Sequence, residues 1–119
     1  MAANSASPVP ELSLATDKTP IETVIHCSGR IISNTTELLK TATRSAMAES
    51  KTVVLDLTQV NYLDSSGLGA IVGLYVSAKR EGCKFKLINL SPRVKELFSI
   101  TRLAPLFEGH EDMLGMTPD

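Results

Sequence analysis

Thr52-Val53-Val54-Leu55-Asp56-Leu57 is a β-branched and almost unbroken apolar run, the pattern of a strand buried on both faces. It predicts the central strand of a sheet. Downstream, after Asp64-Ser65-Ser66-Gly67, the residues Leu68, Ile71, Val72 and Tyr75 recur at helical spacing, and Lys79-Arg80-Glu81 lead into Gly82. That is a helix body with a C-terminal stop. Lys84 to Asn89 alternates polar and apolar residues and reads as a further strand. Ser91-Pro92 then supplies a cap and a first helical position, with Val94, Leu97 and Phe98 as the apolar stripe of a short helix to about Ser99.

Upstream of the central run, Glu11 to Thr16 and Glu22 to Ser28 read as two strands joined by a short turn at Asp17 to Pro20, hence an antiparallel hairpin. Asn34-Thr35-Thr36-Glu37 resembles a capping box with Asn34 as the cap. A helix is expected from there to about Glu49, with Leu38, Leu39, Ala42, Ala46 and Met47 on its inner face. Leu106 and Phe107 suggest a last edge strand, and Glu111 to Met116 a stub of helix with a frayed end. Residues 1–10 are small, Ser-rich and Pro-bearing and read as a disordered tail, which leaves residues 11–119 as a single domain.

The order β-β-α-β-α-β-α-β implies an α/β fold with a mixed sheet: an N-terminal hairpin, a parallel centre made by right-handed crossovers, and helices packed on one side. Three strand-to-helix junctions, Gly29 to Asn34, Gln59 to Ser66 and Asn89 to Pro92, then emerge at the carboxyl edge of the sheet. Open α/β folds place their sites at that edge.

Composition narrows the functions available. The chain has 119 residues, enough for one domain. Twelve Lys plus Arg against thirteen Asp plus Glu leave a formal charge of −1, too little positive field to hold a nucleic-acid backbone. The core must be aliphatic, because aromatics are 4% of residues and Trp is absent. Cys27 and Cys83 have neither the spacing of a metal cage nor that of a disulfide framework and read as buried apolar residues. The start lacks the basic cluster and apolar stretch of a secretory signal, and the longest apolar run, Leu68 to Val76, is shorter than the roughly 20 residues a membrane span needs. A cytoplasmic protein without a membrane segment is expected.

The densest chemical signal is Asp64-Ser65-Ser66-Gly67-Leu68-Gly69 at the entrance to the second helix. Gly67, Gly69 and Gly73 miss the G-x-G-x-x-G spacing of a dinucleotide site, and no P-loop Lys follows. Neither Ser65 nor Ser66 has the flanking glycines of a nucleophile elbow. Of the two histidines, His26 lies within a strand as a satisfied, half-buried residue and His110 lies near the end of the chain, so no serine-hydrolase base is at hand. No catalytic residue, metal ligand or cofactor is assigned. Asp64 or Ser65 would cap the helix, yet two adjacent hydroxyls exceed what one cap requires. A serine in the first turn sits where free N–H groups and the helix dipole favour an added phosphate.

Three motifs occur in order: Val53-Val54-Leu55-Asp56-Leu57-Thr58 with Val60-Asn61-Tyr62-Leu63-Asp64-Ser65-Ser66-Gly67-Leu68-Gly69, then Leu87-Ile88-Asn89-Leu90-Ser91-Pro92, then Leu97-Phe98-Ser99-Ile100-Thr101-Arg102-Leu103. Together they resemble the STAS domain of anti-sigma factor antagonists over about residues 12 to 112. The resemblance implies a STAS-type fold and a switch in partner exchange. It makes Ser66 the phosphoacceptor of an anti-sigma factor that is also an ATP-dependent serine kinase, with Asp64 and Ser65 beside it. It also makes Gly67, Leu68 and Gly69 the helix start presented to that partner. The unphosphorylated chain would bind the kinase and free the sigma factor, phosphorylation would reverse this, and a phosphoserine phosphatase would reset the cycle. ATP would belong to the kinase.

One position departs from the family. Relatives often carry G-x-[LIV]-D after the second strand, whereas Gly29-Arg30-Ile31-Ile32 places Ile32 where the acid stands. Asn34 is a partial substitute, and Arg30 reads as a solvated loop residue that is also a candidate phosphate partner. Leu74 is a candidate exposed contact on the second helix. The alternative role for such a domain is a non-catalytic subunit of a lipid-transport ATPase complex, which would brace the ATPase.

Overall fold

A computed structural model of the chain describes residues 11–100. The central run is where the sequence places it: β3 (Thr52–Leu63) lies between β2 (Glu22–Ile31) and β4 (Lys84–Ile88) and is parallel to both. β1 (Leu12–Lys18) pairs antiparallel with β2, giving a four-stranded sheet in the order β1-β2-β3-β4. The helices are α1 (Thr36–Met47), α2 (Ser65–Glu81) and α3 (Pro92–Ile100). The expected edge strand at Leu106 and Phe107, the stub at Glu111 to Met116, His110 and the tail of residues 1–10 lie outside the described residues.

Register explains why one sheet face carries the helices. Thr23 and Ile25 stand beside Val53 and Leu55, which stand beside Phe85 and Leu87. All six are buried, and with Cys27 and Leu57 they make one apolar face. Leu39, Ala46 and Met47 of α1, Leu68, Ile71, Leu74 and Ala78 of α2, and Val94 and Phe98 of α3 join them in a single cluster. The opposite face carries Asp17, His26, Asp56 and Lys86.

Several boundaries differ from the expectation. β2 continues through Gly29 and Arg30 to Ile31, and β3 continues past Leu57 to Leu63, with register shifts between His26 and Ser28 and between Gly29 and Arg30. Arg30 is therefore a strand residue and not a loop residue. Gly29 has φ 120°, and a Cβ there would lie 2.2 Å from the Glu11 carbonyl oxygen, so the bend in β2 and the close approach of β1 both need glycine.

The capping box at α1 does not form as read. Thr35 is the residue before the helix, and Asn34 is exposed in the preceding turn. The Thr35 hydroxyl accepts from the Ile32 N–H at 2.9 Å and lies 2.9 Å from the Arg30 carbonyl, so it closes the loop after β2 in place of a helix cap. Leu38 is half exposed, while Leu39, Thr43, Ala46 and Met47 face inward, so the inner stripe is rotated by about one residue. The other ends match: Asp64 caps α2, Gly82 closes it with φ 72°, and Ser91 Oγ accepts from the Val94 N–H ahead of Pro92. Cys27 and Cys83 are free and buried. Burial raises both thiols, Cys27 to about 12, so neither is ionised at neutral pH.

Candidate functional site

β2 and β3 end side by side at the carboxyl edge, Ile31 beside Leu63, whereas β4 ends earlier, with Ile88 beside Asp56; each strand passes into a helix from its carboxyl end. Because β2 and β3 run further than expected, the turns are short. At the middle junction a single residue, Asp64, separates β3 from α2. Its N–H donates to the Ile31 carbonyl at 3.3 Å, its backbone is extended, and its carboxylate accepts from the Gly67 N–H at 2.8 Å. One residue thus closes the sheet edge and starts the helix.

The side chains that follow divide by helix geometry. Ser65 and Ser66 are exposed on the first turn of α2, and Gly69 is exposed one turn later. Gly67 and Leu68 point inward and present no side chain to a partner. A Cβ on Gly67 would sit 2.1 Å from the Ile31 carbonyl oxygen, and Leu68 is 5% exposed in the core. Those two shape the surface from beneath. Leu74 corrects an expectation: at 1% exposed it is core, because residues 71, 74, 75 and 78 share the buried side of the helix. The exposed apolar residue of this helix is Val76.

Gly69 contrasts with Gly67. Nothing lies within 4 Å of a Cβ built there, so the fold does not require its missing side chain. Gly69→Ala is expected to raise stability by about 0.5–1 kcal/mol, since a helix-interior glycine loses more backbone entropy than alanine. Urea denaturation checks this, and a lower midpoint would show a packing role for the glycine.

Beside Ser65 and Ser66 the edge carries Arg30 and Ile32, both noted in the sequence, together with a ring contact and a groove that the sequence reading did not single out. Tyr62 is exposed at the end of β3 with the Arg30 guanidinium 5.3 Å from its ring centroid. Arg30 also faces the Glu11 carboxylate at 3.6 Å. A groove of about 230 Å³ opens between the end of β3 and α3, with Tyr62, Leu63, Arg93 and Val94 in its walls. Ile32, at the family's acidic position, is a buried apolar residue at the root of the loop.

Asp56 is the second unforeseen group. Its Oδ1 accepts from the Thr58 N–H at 3.0 Å, from the Thr58 hydroxyl, and from Asn89 Nδ2 at 3.1 Å, while Oδ2 meets His26 Nδ1 at 2.8 Å. Partial burial opposes its charge, but the hydrogen bonds from Thr58, His26 and Asn89 outweigh that and hold the carboxyl far below the usual carboxylate range. Asn89, with φ 59°, is the one described non-glycine residue in left-handed backbone, and the Asp56 bond holds its side chain as β4 turns toward α3. A lone acid within an apolar run was the available signal. His26 is engaged by Asp56 and Asp17, as the strand reading required of it. Among the described residues no group of three or more His, Cys, Asp or Glu could hold a metal ion, and no helix is long and apolar enough to cross a membrane.

The STAS domain family matches residues 13–113, the sheet, the helices and the Asp64-to-Gly69 edge included. The chain belongs to the STAS domain family. Among its relatives, the anti-sigma-B factor antagonist of Listeria monocytogenes is 35% identical over 85 residues, 71% of this chain and 75% of that protein. The STAS fold is also that of the anti-sigma factor antagonist SpoIIAA in its unphosphorylated form, with a TM-score of 0.67 at 20% identity, covering 89% of this chain and 100% of that one. The phosphorylated form of the Bacillus cell fate determinant SpoIIAA superposes with a TM-score of 0.63 at 21% identity, over 78% of this chain and 86% of that one. The expected mixed sheet with its N-terminal hairpin is thus found in the chain and in a structural relative.

Proposed function

We propose that this STAS domain is an anti-sigma factor antagonist whose unphosphorylated form binds an anti-sigma factor with serine kinase activity and so frees a sigma factor. Phosphorylation of Ser66 ends the binding, and a phosphoserine phosphatase restores it. The observation that carries the reading is the exposed Ser66 hydroxyl on the first turn of α2, behind the Asp64 cap. A phosphate there adds about −1.5 to −2 charge and three acceptor oxygens at the positive end of the helix dipole. The chain itself then stays folded, while a docked acidic surface is repelled. The Listeria relative bears the name of an anti-sigma-B factor antagonist, which supports the same role.

In this reading the chain supplies a surface and an acceptor hydroxyl, and the kinase supplies ATP and the catalytic groups. Asp64, Ser65 and Gly69 share the presented edge with Ser66, and Gly67 and Leu68 fix its height above the sheet. Incubation with the cognate anti-sigma factor and ATP is expected to place one phosphate on Ser66, mapped by tandem mass spectrometry. Phosphate on another residue, with Ser66 unmodified, would overturn the assignment. Recovery of a transporter ATPase in place of a kinase on affinity purification would instead favour a bracing subunit.

A further inference from the structure

One imidazole joins three strands on the sheet face opposite the helices. His26 of β2 places Nδ1 2.8 Å from Asp56 Oδ2 of β3 and Nε2 3.0 Å from Asp17 Oδ2 of β1. An ionised carboxylate only accepts hydrogen bonds, so both contacts need an N–H on the histidine side. A neutral imidazole has one N–H and an imidazolium has two. The geometry therefore selects the doubly protonated ring.

The two acids are not equivalent. Asp56 is nearly covered, with a side chain 15% exposed, and its other oxygen is occupied by Thr58 and Asn89, so it cannot turn away. Asp17 is 81% exposed near the end of the edge strand, where its carboxylate meets His26. The remaining charged groups on this face are Glu22 of β2 and Lys84 and Lys86 of β4, with Glu11 and Arg30 at the far end of the β1–β2 pair. The groups in direct contact with the ring are the two acids.

We propose that His26 is a proton-operated clasp: with both ring nitrogens protonated it ties the edge strand β1 to the central strand β3, and loss of one proton releases Asp17 and loosens β1. Hydrogen bonding to Asp56, then to Asp17, raises the histidine above its ordinary 6.5. A group raised in the folded state stabilises fully below its unfolded value and loses that contribution as pH climbs through the folded value. The clasp is therefore closed below about pH 6.5 and opens on the alkaline side. The loosened strand reaches the functional edge through its other end, where the Glu11 carbonyl accepts from the Arg30 N–H at 2.8 Å beside Tyr62.

The test needs the full chain and no partner protein. Nitrogen-15 spectra of the His26 ring at about pH 6 are expected to show both nitrogens protonated, with titration above 6.5 in the wild type and a lower midpoint in Asp17→Asn. Hydrogen exchange of the β1 amides, corrected for intrinsic rate, is expected to lose about threefold or more of its protection between about pH 6 and pH 8.5. His26→Gln, which cannot titrate in this range, is expected to remove that pH dependence. A ring with one proton at about pH 6, a midpoint at or below 6.5, or the same loss of protection in His26→Gln would each overturn the clasp.

Discussion

Ser66→Asp is expected to bind the anti-sigma factor kinase about 100-fold more weakly than Ser66→Ala, a difference of about 2.7 kcal/mol. The cause is a fixed negative charge brought against a docked surface, where like charges cost several kcal/mol once water is excluded. The substitution does not threaten the chain itself. Residue 66 is exposed in the first turn of α2, where the helix dipole favours an anion, so the two variants are expected to unfold within about 0.5 kcal/mol of each other. Raising the ionic strength should narrow the affinity gap only slightly, because a charge enclosed in the docked surface is screened much less than an exposed one. Isothermal titration of both variants against the kinase decides the matter, and equal affinities would remove charge as the switch.

Gly67→Ala is expected to destabilise the fold by about 3 kcal/mol, in contrast to the gain at Gly69. The new methyl would begin 2.1 Å from the Ile31 carbonyl oxygen and 2.9 Å from the Ile31 Cγ2, and the nearest of these is backbone that cannot swing aside. That carbonyl also accepts from the Asp64 N–H, so relief by displacement breaks the junction between β3 and α2. For a chain of this size the loss corresponds to a fall of about 12 °C in Tm. A calorimetric Tm within about 3 °C of the wild type would show that the helix start yields more readily than the contact implies.

The readable parts of this fold are those where local chemistry and tertiary demand coincide. Val53, Leu55 and Leu57 are fully buried in the middle strand, as their apolar run required, and Asp64, Gly82 and Ser91-Pro92 punctuate the helices where their side chains predict. Readability failed where a choice was settled at long range. Asn34, Thr35 and Thr36 are all capable of capping, and Thr35 takes the position before α1 because its hydroxyl meets the Ile32 N–H. Gly29 and Arg30 look like a loop, yet the neighbouring β1 and β3 ladders hold them in strand.

The site was legible in the same uneven way. Ser66 and its neighbours stand in one contiguous motif, so their place at a helix start followed from the order of residues alone. Which of them face outward did not, since Gly67 and Leu68 are turned in by their packing against Ile31 and the core. The Arg30–Tyr62 stack and the bonds from His26 and Asn89 to Asp56 link residues distant in sequence, and only strand register brings them together.

The antiparallel entry of β1 has a practical consequence. Leu12 pairs with Gly29, so the first strand begins at the same rim of the sheet from which α2 departs, and Glu11 already touches Arg30 there. A fusion joined directly at residue 11 would start from the rim that also carries Ser66. A bulky reporter or a sensor-chip attachment joined there would compete for the space a binding partner needs, and affinities measured that way would report the handle along with the protein.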